Sequence, residues 1–266
     1  MLIVTLFSFS SPALAIVNGS ELSEVATLAK SVVAIQMVER ESSGKINFYK
    51  GSGVLISDRV ILTAGHNFFY LPDPTLSSAI FSVKPNWGTD SDGEKRISIK
   101  RALVLPGFSQ GPLGTHHDLA LVQLSESAPP QYRPLKIELW GKHPPKPGDL
   151  MTILGYGKSN VSETPPLNDF RLRSIDLPFA RWDGSSIEDS EKLWVSFDRG
   201  SFAGGDSGGP VLLKRAESYW VYGVVIHHRY GKCVTDGTCG DQGAFTNLTF
   251  VRNWIKSSLH ELGKVN

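Results

Sequence analysis

Gly205-Asp206-Ser207-Gly208-Gly209-Pro210 places one serine among glycines and directly after an aspartate. A serine hydroxyl is a weak nucleophile until a base stands beside it. Thr63-Ala64-Gly65-His66 offers such a base, and His117-Asp118-Leu119-Ala120-Leu121 offers an acid to orient it. Glycine lets a backbone turn tightly and approach a substrate, so the amides of Gly205 and Ser207 are free to converge on one point. Donors fixed where negative charge develops form an oxyanion hole. Together these residue types specify acyl transfer. Ser207 attacks a carbonyl carbon, His66 takes its proton and returns it to the leaving amine, and Asp118 fixes the histidine tautomer. Taken singly, His66 reads as a core histidine and Asp118 as a turn residue before a strand. His116 and His117 adjoin Asp118 as alternative bases.

The order His, Asp, Ser is one of three known for such triads. Other motifs fall in step with it: Ile16-Val17-Asn18-Gly19, Gly51-Ser52-Gly53-Val54-Leu55-Ile56, Leu154-Gly155-Tyr156-Gly157 and Phe250-Val251-Arg252-Asn253-Trp254-Ile255. On these the chain resembles the chymotrypsin/trypsin-like serine peptidase family, from Ile16 to its end. In that family the catalytic acid sits just before an apolar strand, as Asp118 does before Leu119–Leu124, which sets His116 and His117 aside.

The resemblance implies further roles. Ile16 is expected as the mature N-terminus, its ammonium paired with Asp206 to order the oxyanion loop. Ala15 precedes it, so no cut after Arg or Lys is encoded, and removal of a leader after Ala15 exposes Ile16. The specificity pocket is expected from Ser201, Phe202, Ile226, His227, His228 and Gly243. Ser201 stands where trypsin-like members carry a pocket-floor aspartate, so cleavage after Arg or Lys is not expected. Phe202 is placed to fill the pocket. Ile226-His227-His228 replaces a Ser-Trp-Gly run, which removes a hydrogen bond to the catalytic acid and leaves a histidine near the pocket to meet a substrate carboxylate. Small or apolar residues before the cut are expected, with glutamate as the minority alternative.

The elements that must position these groups are short. Apolar or alternating runs of about four to nine residues recur between Gly- and Pro-rich turns, as strands do. A stretch holding Pro129, Pro130, Pro134, Pro144, Pro145 and Pro147 divides them into two sets and suits neither a helix nor a central strand. Phe250, Val251, Trp254, Ile255, Leu259 and Leu262 recur at helical steps. The expectation is an all-β fold of two six-stranded antiparallel β-barrels, with the active site in the cleft between them and a C-terminal α-helix. The first barrel is expected over about 28–128, the connector over 129–148, the second barrel over 149–248 and the helix over 249–263.

Lys plus Arg total 27 against 26 Asp plus Glu. That balance argues against a nucleic-acid partner held by bulk charge. A protein or peptide substrate met by a monomer is expected, with no cofactor and no metal. Residues 1–15 read as a signal peptide, apolar from Leu2 to Phe9 and ending in Ala13-Leu14-Ala15, and imply a secreted or periplasmic protein. Cys233 and Cys239 are the only cysteines, and export makes a local disulfide plausible. Asp90-Ser91-Asp92-Gly93-Glu94 lacks the spacing of an EF-hand and reads as a solvated turn. Three Asn-x-Ser/Thr matches, at Asn18, Asn160 and Asn247, carry little weight. Two rivals compete with the peptidase: a catalytically silent homologue that binds a protein through the cleft, and an esterase, against which the triad order argues.

Overall fold

A computed structural model of the chain describes residues 16, 19–23, 26–87, 94–111, 114–158, 170–198, 200–229 and 241–263, with the backbone alone at 228 and 229. The expected leader, residues 90–93 of the acidic loop, and both cysteines lie outside these ranges.

Six strands close the first barrel: β1 (Val32–Arg40), β2 (Ile46–Leu55), β3 (Val60–Thr63), β4 (Ser78–Phe81), β5 (Lys95–Val104) and β6 (Ala120–Leu124). Their order around it is β1-β2-β3-β6-β5-β4. The second barrel holds β7 (Leu150–Gly155), β8 (Arg173–Trp182), β9 (Lys192–Ser196), β10 (Pro210–Arg215), β11 (Ser218–Arg229) and β12 (Gln242–Asn247). Its order is β8-β7-β10-β11-β12-β9, and β9 pairs back onto β8 to close it. All of these pairings are antiparallel. A helical turn, α1 (His66–Phe69), follows β3, and α2 (Arg252–Gly263) ends the fold.

The two-residue period of a strand explains why these runs are apolar almost throughout. In β1, Val33, Ile35 and Met37 join a cluster with Ile61, Ile97 and Val122 of the first barrel. Their alternates Val32 and Ala34 join a different cluster, which also holds Leu154, Leu212 and Val224 of the second barrel. A third cluster gathers Met151, Ile153, Val211 and Phe245 from the second barrel. Strands facing the cleft are therefore buried on both faces, one face in a barrel and the other between barrels.

The proline-rich connector is not loose. Leu135 N donates to Leu55 O at 2.9 Å and Glu138 N to Val221 O at 2.8 Å, tying it to both barrels. Lys136–Ile137 adds a two-residue parallel strand beside β11. Helix α2 buries Ile255 and Leu262, and Gln123 of β6 donates to the Leu262 carbonyl at 3.0 Å, satisfying an acceptor at the helix end.

Candidate active site

His66 opens α1 straight after β3, and Asp118 lies two residues before β6, the neighbour of β3. Both atoms of the Asp118 carboxylate reach His66. Oδ1 accepts from the His66 backbone amide at 2.8 Å, and Oδ2 lies 2.8 Å from Nδ1. Two bonds from one carboxylate fix both the position of the residue and the rotation of its ring. Asp118 is buried and the His66 side chain keeps 24% exposure, so the ring presents its other edge to the cleft. Burial pushes the Asp118 carboxyl upward, but the hydrogen bonds and charge of His66 outweigh it and hold the group below its ordinary value.

A tight turn aims Asp118 inward. His117 has φ +50°, and Leu119 N donates back to His117 O at 3.0 Å. Glu191, just before β9, accepts from the His117 amide and pairs with His116 Nδ1 at 2.9 Å. The His117 ring pairs with Pro106 O at 2.8 Å. Both neighbouring histidines thus hold the turn. Ile226 is buried and offers no hydroxyl to the acid. Thr246 of β12 supplies one from the other side, donating to the Asp118 carbonyl at 2.7 Å.

Ser207 comes from the loop ahead of β10, yet its backbone is fastened to the first barrel. Ser52 N donates to Ser207 O at 2.9 Å, and Asn67 Nδ2 donates to the same oxygen at 3.2 Å. The Ser52 hydroxyl donates to Gly205 O at 2.8 Å and accepts from Tyr156 N at 2.9 Å. Gly208 shows why glycine follows the serine. Its φ is +82°, and a Cβ there would lie 2.0 Å from Thr63 Oγ1 and 2.3 Å from Ser52 O. Gly205 also has positive φ, at +103°. Among the described residues, the amides of Gly205 and Ser207 donate to no backbone carbonyl, whereas those of Asp206, Gly208 and Gly209 do. His66 and Ser207 line one cavity of about 350 Å³.

Asp206 is fully buried. Its carboxylate accepts from Gly157 N at 2.7 Å and Ala203 N at 2.8 Å. Burial nonetheless raises its pKa to about 6, against those bonds and the charge of Arg173. Ile16 is completely buried in the second-barrel cluster, and its carbonyl accepts from Gly19 N at 2.6 Å. Its φ is +38°, an outlier for a β-branched residue.

The expected specificity residues separate. Phe202 is buried, set edge-on to Phe197 with centroids 5.0 Å apart, and its ring lies on Gly243, where an added Cβ would meet Cζ at 2.1 Å. Ser201 is half-buried beside it. His227 packs edge-on to Trp194 at 5.7 Å, and both of its ring nitrogens are closed to solvent. The side chain of His228 lies outside the described residues. Asn247 is buried, with its amide donating to Ile187 O at 2.5 Å and Ser190 O at 2.6 Å, which leaves no acceptor for a glycan.

Sequence reasoning passed over Ser52, Asn67, Glu191 and Thr246. Ser52 lies inside the Gly51–Ile56 motif, and Asn67 follows His66 directly. Glu191 and Thr246 carry no local signal, because their partners come from the other barrel.

The family model for trypsin matches residues 30–255. Mouse complement C1s-1 subcomponent is 24% identical over 246 residues, covering 81% of this chain and 33% of its own length. The CLIP domain-containing serine protease B4 of Anopheles gambiae is 26% identical over 246 residues, covering 84% and 66%. Phenoloxidase-activating factor 1 of Holotrichia diomphalia is 21% identical over 281 residues, covering 92% and 70%. This chain thus spans a third of the mouse relative and about two thirds of the mosquito and beetle ones. With two closed six-stranded barrels and a family match running through both of them, this chain belongs to the trypsin family of serine proteases.

Proposed function

We propose that the protein is a secreted or periplasmic serine endopeptidase that hydrolyses peptide bonds through an acyl-enzyme. The observation that carries this reading is the double hold of Asp118 on His66, with Ser207 in the same cavity. His66 removes the Ser207 proton as Oγ attacks the carbonyl carbon. The oxyanion that forms takes hydrogen bonds from the uncommitted amides of Gly205 and Ser207. His66 then protonates the leaving amine, the C–N bond breaks, and water repeats the sequence on the ester. Asp118, held below its ordinary pKa, stays ionised and stabilises the imidazolium. Phe202 over Gly243 shortens the pocket for the residue before the cut, which favours a small or apolar residue there and disfavours Arg and Lys. Cleavage of a diverse peptide library tests this; cuts mainly after Arg or Lys contradict it.

The mature form begins at Ile16 on this reading, after removal of residues 1–15 as a leader. Cutting the bond before Ile16 abolishes the φ constraint on that residue and creates an ammonium for Asp206. The positive φ is a support, since such strain costs on the order of 1–3 kcal/mol and persists only when its surroundings impose it. No helix among the described residues is long and apolar enough to cross a membrane. Cys233 and Cys239 would form one local disulfide, worth roughly 2 kcal/mol for so short a loop. The filled pocket also favours a second reading, a silent homologue that binds protein without cutting it. Tight binding of a partner with no adduct on Ser207 separates the two.

A further inference from the structure

The side of the cleft away from Phe202 is open. The cavity that His66 and Ser207 share is walled by Met37 of β1, Tyr49 of β2, and Tyr70 and Leu71 at the end of α1. None of Ser201, Phe202, Ile226, His227 or Gly243 lines it. Its remaining walls come from the first barrel around His66, the group that protonates the leaving amine. The departing half of a substrate therefore passes through it.

We propose that this chain selects its substrates on the leaving-group side, by an apolar or aromatic side chain within the first two residues after the cut. The proposal rests on the peptidase reading above and deepens it. At about 350 Å³ the cavity lies near the lower end of the range for ligand sites, room for one or two side chains. Its walls are already set. Tyr49 keeps 47% exposure, but its hydroxyl is tied to Glu39 Oε2 at 2.7 Å. Tyr70 keeps 62% exposure and stands edge-on to Phe108 at 6.2 Å, with Phe69 between them at 4.9 Å and 4.5 Å. Aromatic walls held this way lose little freedom when a ligand arrives. The two charged residues at the cavity are engaged. Glu39 also accepts from Asn47 at 3.3 Å, and the Lys50 ammonium lies 3.6 Å from the Phe170 ring centroid. Apolar surface is what remains to select an occupant, while the pocket on the acyl side is filled by Phe202.

The experiment uses the form beginning at Ile16 and peptides with a constant acyl half. Phe, Leu, Ala, Gly, Lys or Asp is placed in turn at each of the two positions after the cut. Phe and Leu are expected to raise kcat/KM by about 10–100-fold over Gly at one of these positions. Tyr70→Ala should shrink that ratio toward unity and Tyr70→Phe should keep it, with matching thermal melts showing that both variants are folded. Cleavage indifferent to both positions overturns this inference and leaves the peptidase reading standing. An unchanged ratio in Tyr70→Ala overturns the assignment to this cavity. No cleavage and no phosphonylation of Ser207 by a fluorophosphonate overturns both readings together.

Discussion

Thr246 donates its hydroxyl to the Asp118 carbonyl across 2.7 Å, joining the last strand of the second barrel to the carboxylate residue that holds His66 in the first. Both residues are buried. Ile226 supplies no hydroxyl, so this bond is one route by which the second barrel steadies Asp118, beside the Glu191 hold on the turn before it. Thr246→Val keeps the shape and leaves a buried carbonyl unpaired. The expected loss is about 1–3 kcal/mol of stability, with a fall in kcat greater than in KM. Thr246→Ser should recover most of both. Denaturant titration and steady-state kinetics on the three proteins measure this.

Gly208→Ala tests the junction between the barrels. The new methyl meets Thr63 and Ser52 at φ +82°. Left-handed backbone costs about 1–2 kcal/mol for an alanine, and overpacking a tight contact adds roughly 1–3 kcal/mol. The melting temperature should fall, and Ser207 should no longer sit against Asn67 and Ser52. A variant with unchanged stability and activity would show that the loop tolerates displacement.

Asp206 makes the N-terminal proposal visible in pH. With no ammonium beside it, burial raises its carboxyl to about 6, above the unfolded value near 3.9. The folded chain then binds a proton that the unfolded chain releases. That contribution to stability is fully present below the unfolded value and is lost as pH rises through about 6. A protein that retains residues before Ile16 should therefore weaken between pH 4 and pH 7, by about 3 kcal/mol for two pKa units in a fully buried group. In that form Asp206→Asn removes the buried charge but turns an amide NH2 toward one of the two backbone donors that the carboxylate satisfies, so the stability change at pH 7 should be small. In the form starting at Ile16, the ammonium lowers the Asp206 pKa, and the same substitution strands a buried cation, destabilises the fold by about 3–5 kcal/mol and abolishes activity. A much larger loss in the form starting at Ile16 is the diagnostic, read from melts across pH. Equal losses in the two forms would contradict the pairing.

Glu191→Gln keeps one acceptor for the His117 amide and removes the charge beside His116. Glu191→Ala removes both. The turn that carries Asp118 should loosen in the second variant more than in the first, so kcat should fall further for alanine. Equal effects would mean that the charge near His116, not the hold on the turn, matters most.

What the sequence made legible was what the backbone needs locally. Glycines around Ser207 announce a turn at positive φ, and the structure gives Gly205 and Gly208 that conformation. Strand runs, the proline connector and the closing helix were readable from period and composition. Contacts across the barrels were not. Thr246 and Glu191 are ordinary residues in their own segments, and nothing within β12 signals that a hydroxyl there meets Asp118. The surroundings of Phe202 were not legible either. Phe202 follows Ser201 in sequence, but its ring lies on Gly243 of the far strand β12, a contact that no local pattern states. The open cavity by Tyr70 depends on how α1 packs against β2, which no local pattern states.

Fluorophosphonate labelling of the form beginning at Ile16, followed by peptide mapping, tests the central claim most directly. The account predicts one adduct, on Ser207, formed in step with loss of peptide hydrolysis and absent from His66→Ala. Ser207→Ala should lose activity on the order of 10⁴–10⁶-fold while keeping its melting temperature. Hydrolysis that survives in Ser207→Ala, or an inhibited enzyme with its label elsewhere, would contradict it.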